Sequence, residues 1–184
     1  TIDAIVDHAI KDGILLAPPS KLNRDPSVFS SNEYVDQRFL TSRSFTLQWH
    51  ITQSCDLHCK HCYDRSNRSN MAFEDAIKVL DDLHAFCTSK NVMGSISFTG
   101  GNPLMYPRFR DLYREASKRN FTISILGNPA SREDIEELVS IQKPSLFQLS
   151  LEGLPEHNDF IRGKGHFERV VAFLATLRDM NVFS

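Results

Sequence analysis

From residue 45 onward, short runs of alternating apolar and polar residues are followed by longer stretches with helical periodicity. The alternating runs predict strands, and apolar positions three or four residues apart predict helices. The predicted strands cover 45–51, 95–99, 121–127 and 145–151, and the predicted helices cover 72–89, 107–119, 131–142 and 166–180. This strand–helix alternation indicates an α/β fold of parallel strands joined by right-handed crossovers.

Each predicted strand has one apolar face and one polar face. In the first strand, Leu47, Trp49 and Ile51 face one way, whereas Gln48 and His50 face the other. Parallel strands covered by helices on both sides are apolar throughout. The pattern therefore favours a curved sheet, an open or partial barrel, with helices outside and a polar cavity inside. An α/β layer with one solvated face is the alternative.

The first 43 residues have a different pattern. Apolar residues recur at helical spacing over 2–10, and the proline-containing segments 17–20 and 24–27 interrupt any regular element. We therefore predict an N-terminal leader over 1–43, a helix followed by an irregular segment, and a main domain over 44–184.

Composition narrows the range of partners. The chain has 184 residues, of which 41% are hydrophobic and 24% charged, and its net charge is -2. These values exclude a disordered chain, and the absence of a global basic field argues against nucleic acid as a partner. No apolar run approaches about 18 residues, which argues against a membrane span. Because the sequence also lacks a signal-peptide core, we predict a cytoplasmic protein, where disulfides are rare.

The 4 cysteines therefore need an explanation other than disulfides. Cys55, Cys59 and Cys62 form a C-x3-C-x2-C run directly after the first predicted strand. Three thiolates so close in sequence can converge on a soft metal centre. A structural zinc site needs a fourth ligand, which His58 or His61 would supply, so zinc stays open. Iron–sulfur clusters more often take cysteine thiolates alone, and we favour a cluster.

The fourth cysteine has a different setting. Cys87 lies on the apolar face of the helix predicted over 72–89. Free cysteine behaves as a small hydrophobic residue in such positions. We therefore interpret Cys87 as a core residue and not as a metal ligand.

The cysteine run resembles the signature loop of radical S-adenosylmethionine (SAM) enzymes. The string 54–63 is similar to that of their peptide- and protein-modifying maturases, the SPASM type. The resemblance implies that Cys55, Cys59 and Cys62 bind a [4Fe–4S] cluster, whose fourth iron binds SAM. It also implies reductive cleavage of SAM to a 5′-deoxyadenosyl radical, which abstracts a substrate hydrogen, with no catalytic residue beyond the cluster and SAM.

Other motifs extend the resemblance. Gly100, Gly101 and Asn102 follow the second strand, where the family has a Gly-Gly-Glu-Pro-like turn that receives the SAM amino group. Glycine suits close approach of backbone to a ligand. Asn102 stands where Glu is usual. Asn128, after the third strand, is similar to the family's strand end near the cofactor, and the resemblance implies that the His61 backbone contacts adenine.

A further motif lies at the predicted end of the fourth strand. The segments 150–153 and 157–167 resemble the maturase pattern S-x-[DE]-G-x(3)-H-[DN]-x(2)-R-G-x-G-x-F. The resemblance implies that Ser150 and Glu152 reach the SAM ribose and that Arg162 meets the methionine carboxylate.

Together these features predict a partial (βα) barrel of the radical SAM type. About four strand–helix units are visible, whereas the family core has about six, so we expect a truncated core that is inactive alone. The resemblance implies a peptide or protein substrate and a flavodoxin- or ferredoxin-like electron donor. The alternative function is a non-catalytic zinc or iron–sulfur module with a structural or partner-binding role.

Overall fold

The computed structural model describes residues 4, 7–8, 11–12, 42–64 and 70–184. By internal contacts the chain divides into two units, Thr1–Thr41 and Ser42–Ser184. Of the described residues in the first unit, Ala4, Asp7, His8 and Lys11 are helical. The predicted leader over 1–43 lies largely outside the described residues and stays a prediction.

The second unit alternates strands and helices. Its elements are β1 (Ser44–Thr52), α1 (Phe73–Lys90), β2 (Met93–Gly100), a 3-10 turn (Pro103–Met105), α2 (Phe109–Lys118), β3 (Thr122–Leu126), α3 (Arg132–Ile141), β4 (Leu146–Gln148), α4 (Pro155–Arg162) and α5 (His166–Asp179).

The four strands form one parallel sheet in the order β1-β2-β3-β4. Because each strand pairs with the next one along the chain, every crossover runs in the same sense and the carboxyl ends meet at one edge. This arrangement confirms the predicted α/β fold and is that of a partial barrel. The register of β1 against β2 shifts between His50 and Thr52, where the chain leaves β1.

The helices cover the apolar face of the sheet. Ile96, Phe98, Ile123, Ile125 and Phe147 alternate along three strands and are completely buried. Phe98 is the centre of a ring cluster, because its ring centroid lies 5.3 Å from that of Phe109, 5.9 Å from that of Trp49 and 6.4 Å from that of Tyr113. Cys87 is buried on α1, as predicted.

The opposite face carries hydroxyl side chains, which confirms the predicted polar face. Thr46 and Ser95 join β1 to β2 through a hydrogen bond of 2.6 Å between their hydroxyl oxygens. The hydroxyl oxygens of Ser124 and Ser145 lie 2.9 Å apart. One face of the sheet is therefore apolar and packs against the helices, whereas the other face carries polar side chains.

One prediction about the last third of the chain was wrong, and one helix was missed. The fourth strand was predicted over 145–151, but β4 ends at Gln148. The helix α4 was not predicted. It has Pro155 in its first turn and buries only Asn158, so it lacks the apolar stripe that a periodicity search needs.

After α5 the chain returns to the free edge of β4. The Phe147 N–H donates to the Phe183 carbonyl at 2.8 Å, and Val182 is buried. The backbone at 182–183 thus lies against the edge of β4. No helix within the described residues is long and apolar enough to cross a membrane.

We predict that Phe98→Ala destabilises the fold by about 3–5 kcal/mol, because truncation of a buried ring leaves a cavity among the aromatic residues. Phe45→Ala is the matched control, since that ring is 43% exposed and the same truncation removes less buried area. Equilibrium urea unfolding measures both changes. Equal losses in the two variants would contradict the assignment of Phe98 to the centre of the core.

Candidate active site

The three clustered cysteines lie on an irregular segment directly after β1, which we call the cysteine loop (residues 53–64). Cys55 and Cys59 are partly buried, Cys62 is exposed, and all three are free thiols. The Cys62 N–H donates to the Cys59 carbonyl at 3.1 Å, which closes a turn between the last two cysteines. The predicted ligand residues therefore lie together at the carboxyl edge of the sheet.

Polar groups from distant parts of the chain reach two of the sulfurs. The Cys55 sulfur accepts from the Leu57 N–H and from the Asn128 amide, each at 3.4 Å. The guanidinium Nη1 of Arg162 lies 3.8 Å from the Cys59 sulfur. Donors of this kind stabilise the negative charge of a thiolate, which is the form that binds metal.

Burial and neighbouring charged groups determine the electrostatic environment of the Cys59 thiol. Burial raises the pKa of the Cys59 thiol, and the neighbouring Cys55 and Cys62 add to the rise, whereas Arg162 opposes it. The three sulfurs thus interact as like charges when deprotonated. A cationic metal centre between them would remove that repulsion.

The glycine turn after β2 packs against the start of the cysteine loop. The Gly101 N–H donates to the Thr52 carbonyl at 2.9 Å, and the Asn102 N–H donates to the Ser54 carbonyl at 2.7 Å. A β-carbon would lie 2.2 Å from the Thr52 oxygen at Gly100 and 2.3 Å from the Ser54 oxygen at Gly101. The approach of the two protein loops therefore requires glycine at both positions, and the predicted contact with a ligand stays a prediction.

Asp56 connects the cysteine loop to the ends of two strands. Its Oδ1 accepts from the Asn102 side-chain amide at 2.9 Å and from the Asn128 side-chain amide at 2.7 Å. Asn102 follows β2 and Asn128 follows β3, and both are buried. The sequence analysis did not identify Asp56. Its position between Cys55 and Cys59 is the sequence feature that could have indicated a role at the site.

On the opposite side of the cysteine loop lies a charged group. Arg162 donates through Nε to Glu152 Oε1 at 2.9 Å, and the Nε2 atom of His61 lies 3.5 Å from the same oxygen. The hydrogen bond from Arg162 holds the pKa of the Glu152 carboxyl below its usual range. Glu152 and Ser150 were predicted on a strand face, but both lie in the segment between β4 and α4.

The α4–α5 corner fixes this charged group through a buried polar network. Asn158 accepts the Glu152 N–H at 3.2 Å and places its amide nitrogen 3.1 Å from His166 Nδ1. Asp159 accepts the N–H groups of Phe167 and Gly165, which shapes the turn into α5. Asn158 and Asp159 belong to the motif that the sequence analysis quoted, but no role was predicted for them.

The cysteine loop also bonds directly to α4, since the Lys60 N–H donates to the Ile161 carbonyl at 2.9 Å. The structure thus brings together the predicted residues Cys55, Cys59, His61, Glu152 and Arg162. It gives Ser150 a place in the same segment but no described hydrogen bond of its side chain.

The donor set fits an iron–sulfur cluster better than a single ion. Within the described ranges, no group of three His, Cys, Asp or Glu side chains is arranged to hold one metal ion. The thiolates of a cluster bind different iron atoms and need not converge on one point. Three soft sulfur donors with hydrogen-bond donors beside them suit such a cluster.

Comparisons with known proteins agree with this chemistry. The family model described as the Radical SAM superfamily matches residues 49–184. An Fe-coproporphyrin III synthase of Methanosarcina barkeri is 27% identical over 79% of this chain and 37% of its own length. Mycofactocin maturase MftC of Mycobacterium tuberculosis is 29% identical over 71% of this chain and 34% of its own length. The chain thus spans little more than a third of these relatives.

A solved structure shows the same fold. Streptococcus suis SuiB bound to the precursor peptide SuiA superposes with a TM-score of 0.56 at 18% sequence identity, over 92% of this chain and 42% of that chain. The agreement extends the similarity from sequence to backbone architecture.

We predict that acidification destabilises the fold through His166. Burial lowers the pKa of His166, and its Nδ1 faces the donor amide of Asn158. A group with a lowered folded pKa stabilises the fold above its unfolded value of about 6.5 and loses that contribution as the pH falls. The melting temperature should therefore fall between about pH 7 and about pH 5, and fall less in His166→Gln. Parallel pH profiles for both proteins would contradict this origin.

Proposed function

Because the chain belongs to the radical SAM superfamily, we propose that its cysteine loop binds a [4Fe–4S] cluster and that the surrounding strand ends bind SAM. The family implies both cofactors. Cys55, Cys59 and Cys62 would hold the cluster, which, once reduced by an external one-electron donor, would supply the electron for cleavage of SAM to methionine and a 5′-deoxyadenosyl radical. The radical would then abstract a hydrogen atom from the substrate.

The observation that carries this proposal is the arrangement of donors around the cysteines. Three free thiols follow β1, while Asn128 from the end of β3 and Arg162 from α4 direct N–H groups at two of the sulfurs. Donors placed in this way orient metal ligands and adjust their charge. A surface loop without a metal function would not need sulfur-directed donors from two distant elements.

We propose SAM contacts for the residues that the resemblance singled out. The residues are His61, Gly100, Gly101, Asn102, Asn128, Ser150, Glu152 and Arg162. Among them Glu152 and Arg162 form an ion pair beside Cys59, so a carboxylate and a guanidinium are held within reach of the cysteine loop. A carboxylate can accept from ribose hydroxyls, and a guanidinium can donate to the methionine carboxylate.

A structural zinc site is the second candidate, and the histidines argue against it. The His61 ring lies against Glu152, and His58 is exposed. In the part of the chain that the structure describes, no three His, Cys, Asp or Glu side chains converge on one point. A zinc site requires four converging donors, so it would need a rearranged loop.

We propose a peptide or protein as the substrate. SuiB, which shares the fold, was solved with its precursor peptide, and MftC is named a maturase. The cluster requires a one-electron donor of flavodoxin or ferredoxin type. A reducing compartment such as the cytoplasm suits the free thiols.

We predict that Cys59→Ala abolishes cluster assembly, because it removes one of three iron ligands on a loop outside the core. Cys87→Ala is the matched control, since Cys87 is buried on α1. Iron and sulfide are quantified after anaerobic reconstitution, and circular dichroism checks the fold. Equal iron loss in both variants would overturn the ligand assignment.

We predict that Glu152→Ala weakens SAM binding roughly 5- to 150-fold while the cluster stays in place, because one buried hydrogen bond to a ligand is lost. Glu156→Ala, in the exposed first turn of α4, is the control and should bind SAM as the wild type does. Equilibrium binding of SAM to the reconstituted proteins gives both affinities. Wild-type affinity in Glu152→Ala would mean that this carboxylate does not contact SAM.

A further inference from the structure

We infer that Asp56 is a positioning residue whose carboxylate, held by Asn102 and Asn128, fixes the cysteine loop to the ends of β2 and β3 before any cluster binds. The effect on the cluster rests on the proposed function. The fastening of the loop does not, because its contacts lie within the protein.

The two asparagine side chains have no freedom to reverse their amides. Asn102 Oδ1 accepts the Leu104 N–H at 3.3 Å, so its nitrogen must face Asp56. Asn128 directs its nitrogen at both Asp56 Oδ1 and the Cys55 sulfur, which are acceptors. Both asparagines are buried, and a buried amide without a partner is costly. A carboxylate, which only accepts, therefore complements both donors.

This connection completes a set of bonds along the first half of the cysteine loop. Thr52 and Ser54 accept backbone N–H groups from the glycine turn, and Asp56 accepts side-chain amides from Asn102 and Asn128. The accepting residues therefore lie on both sides of Cys55 in the sequence, with Thr52 and Ser54 before it and Asp56 after it. They fix the backbone on both sides of Cys55, while contacts to α4 hold the Cys59 side of the loop.

The same geometry explains the residue at position 102. The resembled motif has Glu there, and a carboxylate at that position would face the carboxylate of Asp56. Like charges in contact repel. Asn102 is thus matched to Asp56: the turn donates and the cysteine loop accepts.

The experiment replaces the acceptor Asp56 and one of its donors, Asn102, in the metal-free chain. The variants are Asn102→Asp, Asp56→Asn, the double variant and Asp56→Ala, with Asp82→Asn on the exposed face of α1 as control. Hydrogen exchange is followed at the amides of Ser54, Leu57 and Gly101, whose hydrogen bonds lie within or reach the loop.

We expect Asn102→Asp to speed exchange at these amides roughly 10- to 100-fold, as loss of a charge-assisted hydrogen bond would. Adding Asp56→Asn should restore part of the protection, because it removes the charge repulsion between positions 56 and 102. Full recovery is not expected, since Asn102 and Asn128 share the single Oδ1 atom of Asp56, which cannot accept at one position and donate at the other. Asp56→Ala should speed exchange at the same amides and leave the core of β2 and β3 protected. The Asp82→Asn control should match wild type.

Unchanged exchange in Asn102→Asp and Asp56→Ala would overturn the inference, as would failure of Asp56→Asn to rescue Asn102→Asp. If Asn102→Asp does not fold, Asp56→Ala alone tests the inference. Asp56 lies at an exposed position of the loop, so its replacement should leave the core folded. Iron uptake is then measured on the same proteins. Iron uptake should be lower in the variants with faster hydrogen exchange and should recover in the double variant as far as protection does. If the exchange pattern holds but wild type takes up no iron, the proposed function fails and the role of Asp56 in the loop stands.

Discussion

The parallel pairing of four strands in sequential order is the constraint on which the rest of the structure depends. It places the segment after every strand at the same edge of the sheet. The cysteine loop, the glycine turn and the ends of β3 and β4 meet there, although up to about a hundred residues separate them in sequence. Hydrogen bonds and an ion pair join these segments to one another.

Those polar contacts fall into two groups that flank the cysteines. Asp56 joins the loop to the ends of β2 and β3, and the Glu152–Arg162 pair joins it to α4. Both groups supply N–H donors to sulfur, which lowers the cost of holding several thiolates close together. The burial and mutual repulsion that raise the pKa of Cys59 oppose deprotonation, and a bound metal centre would supply the compensating charge.

Strong periodic signals in the sequence predicted the elements that pack. The first three strands and the helices α1, α2, α3 and α5 were predicted close to their bounds because their apolar residues face a shared core. The helix α4 was missed because it buries only Asn158, and the fourth strand was overextended because alternation continues past the last paired residue, Gln148. A pattern of side chains does not show where backbone pairing stops.

The cysteine loop was predicted from spacing, but its supporting residues were not. Asp56 has partners that lie 46 and 72 residues away, and no local pattern encodes such contacts. Likewise, the two glycines were interpreted through a ligand, whereas their neighbours in the structure are the Thr52 and Ser54 carbonyls. The chemical class of a site is readable from residue types, whereas the contacts that orient it depend on tertiary structure.

If this edge of the sheet holds a redox-active cluster that SAM approaches directly, SAM should change the electronic environment of the cluster. Electron paramagnetic resonance of the anaerobically reconstituted and reduced chain, recorded with and without SAM, measures that change. We expect the signal of a reduced [4Fe–4S] cluster whose g-values shift when SAM is added. A protein that binds only zinc and gives no signal, or a cluster signal that SAM leaves unchanged, would exclude such a site.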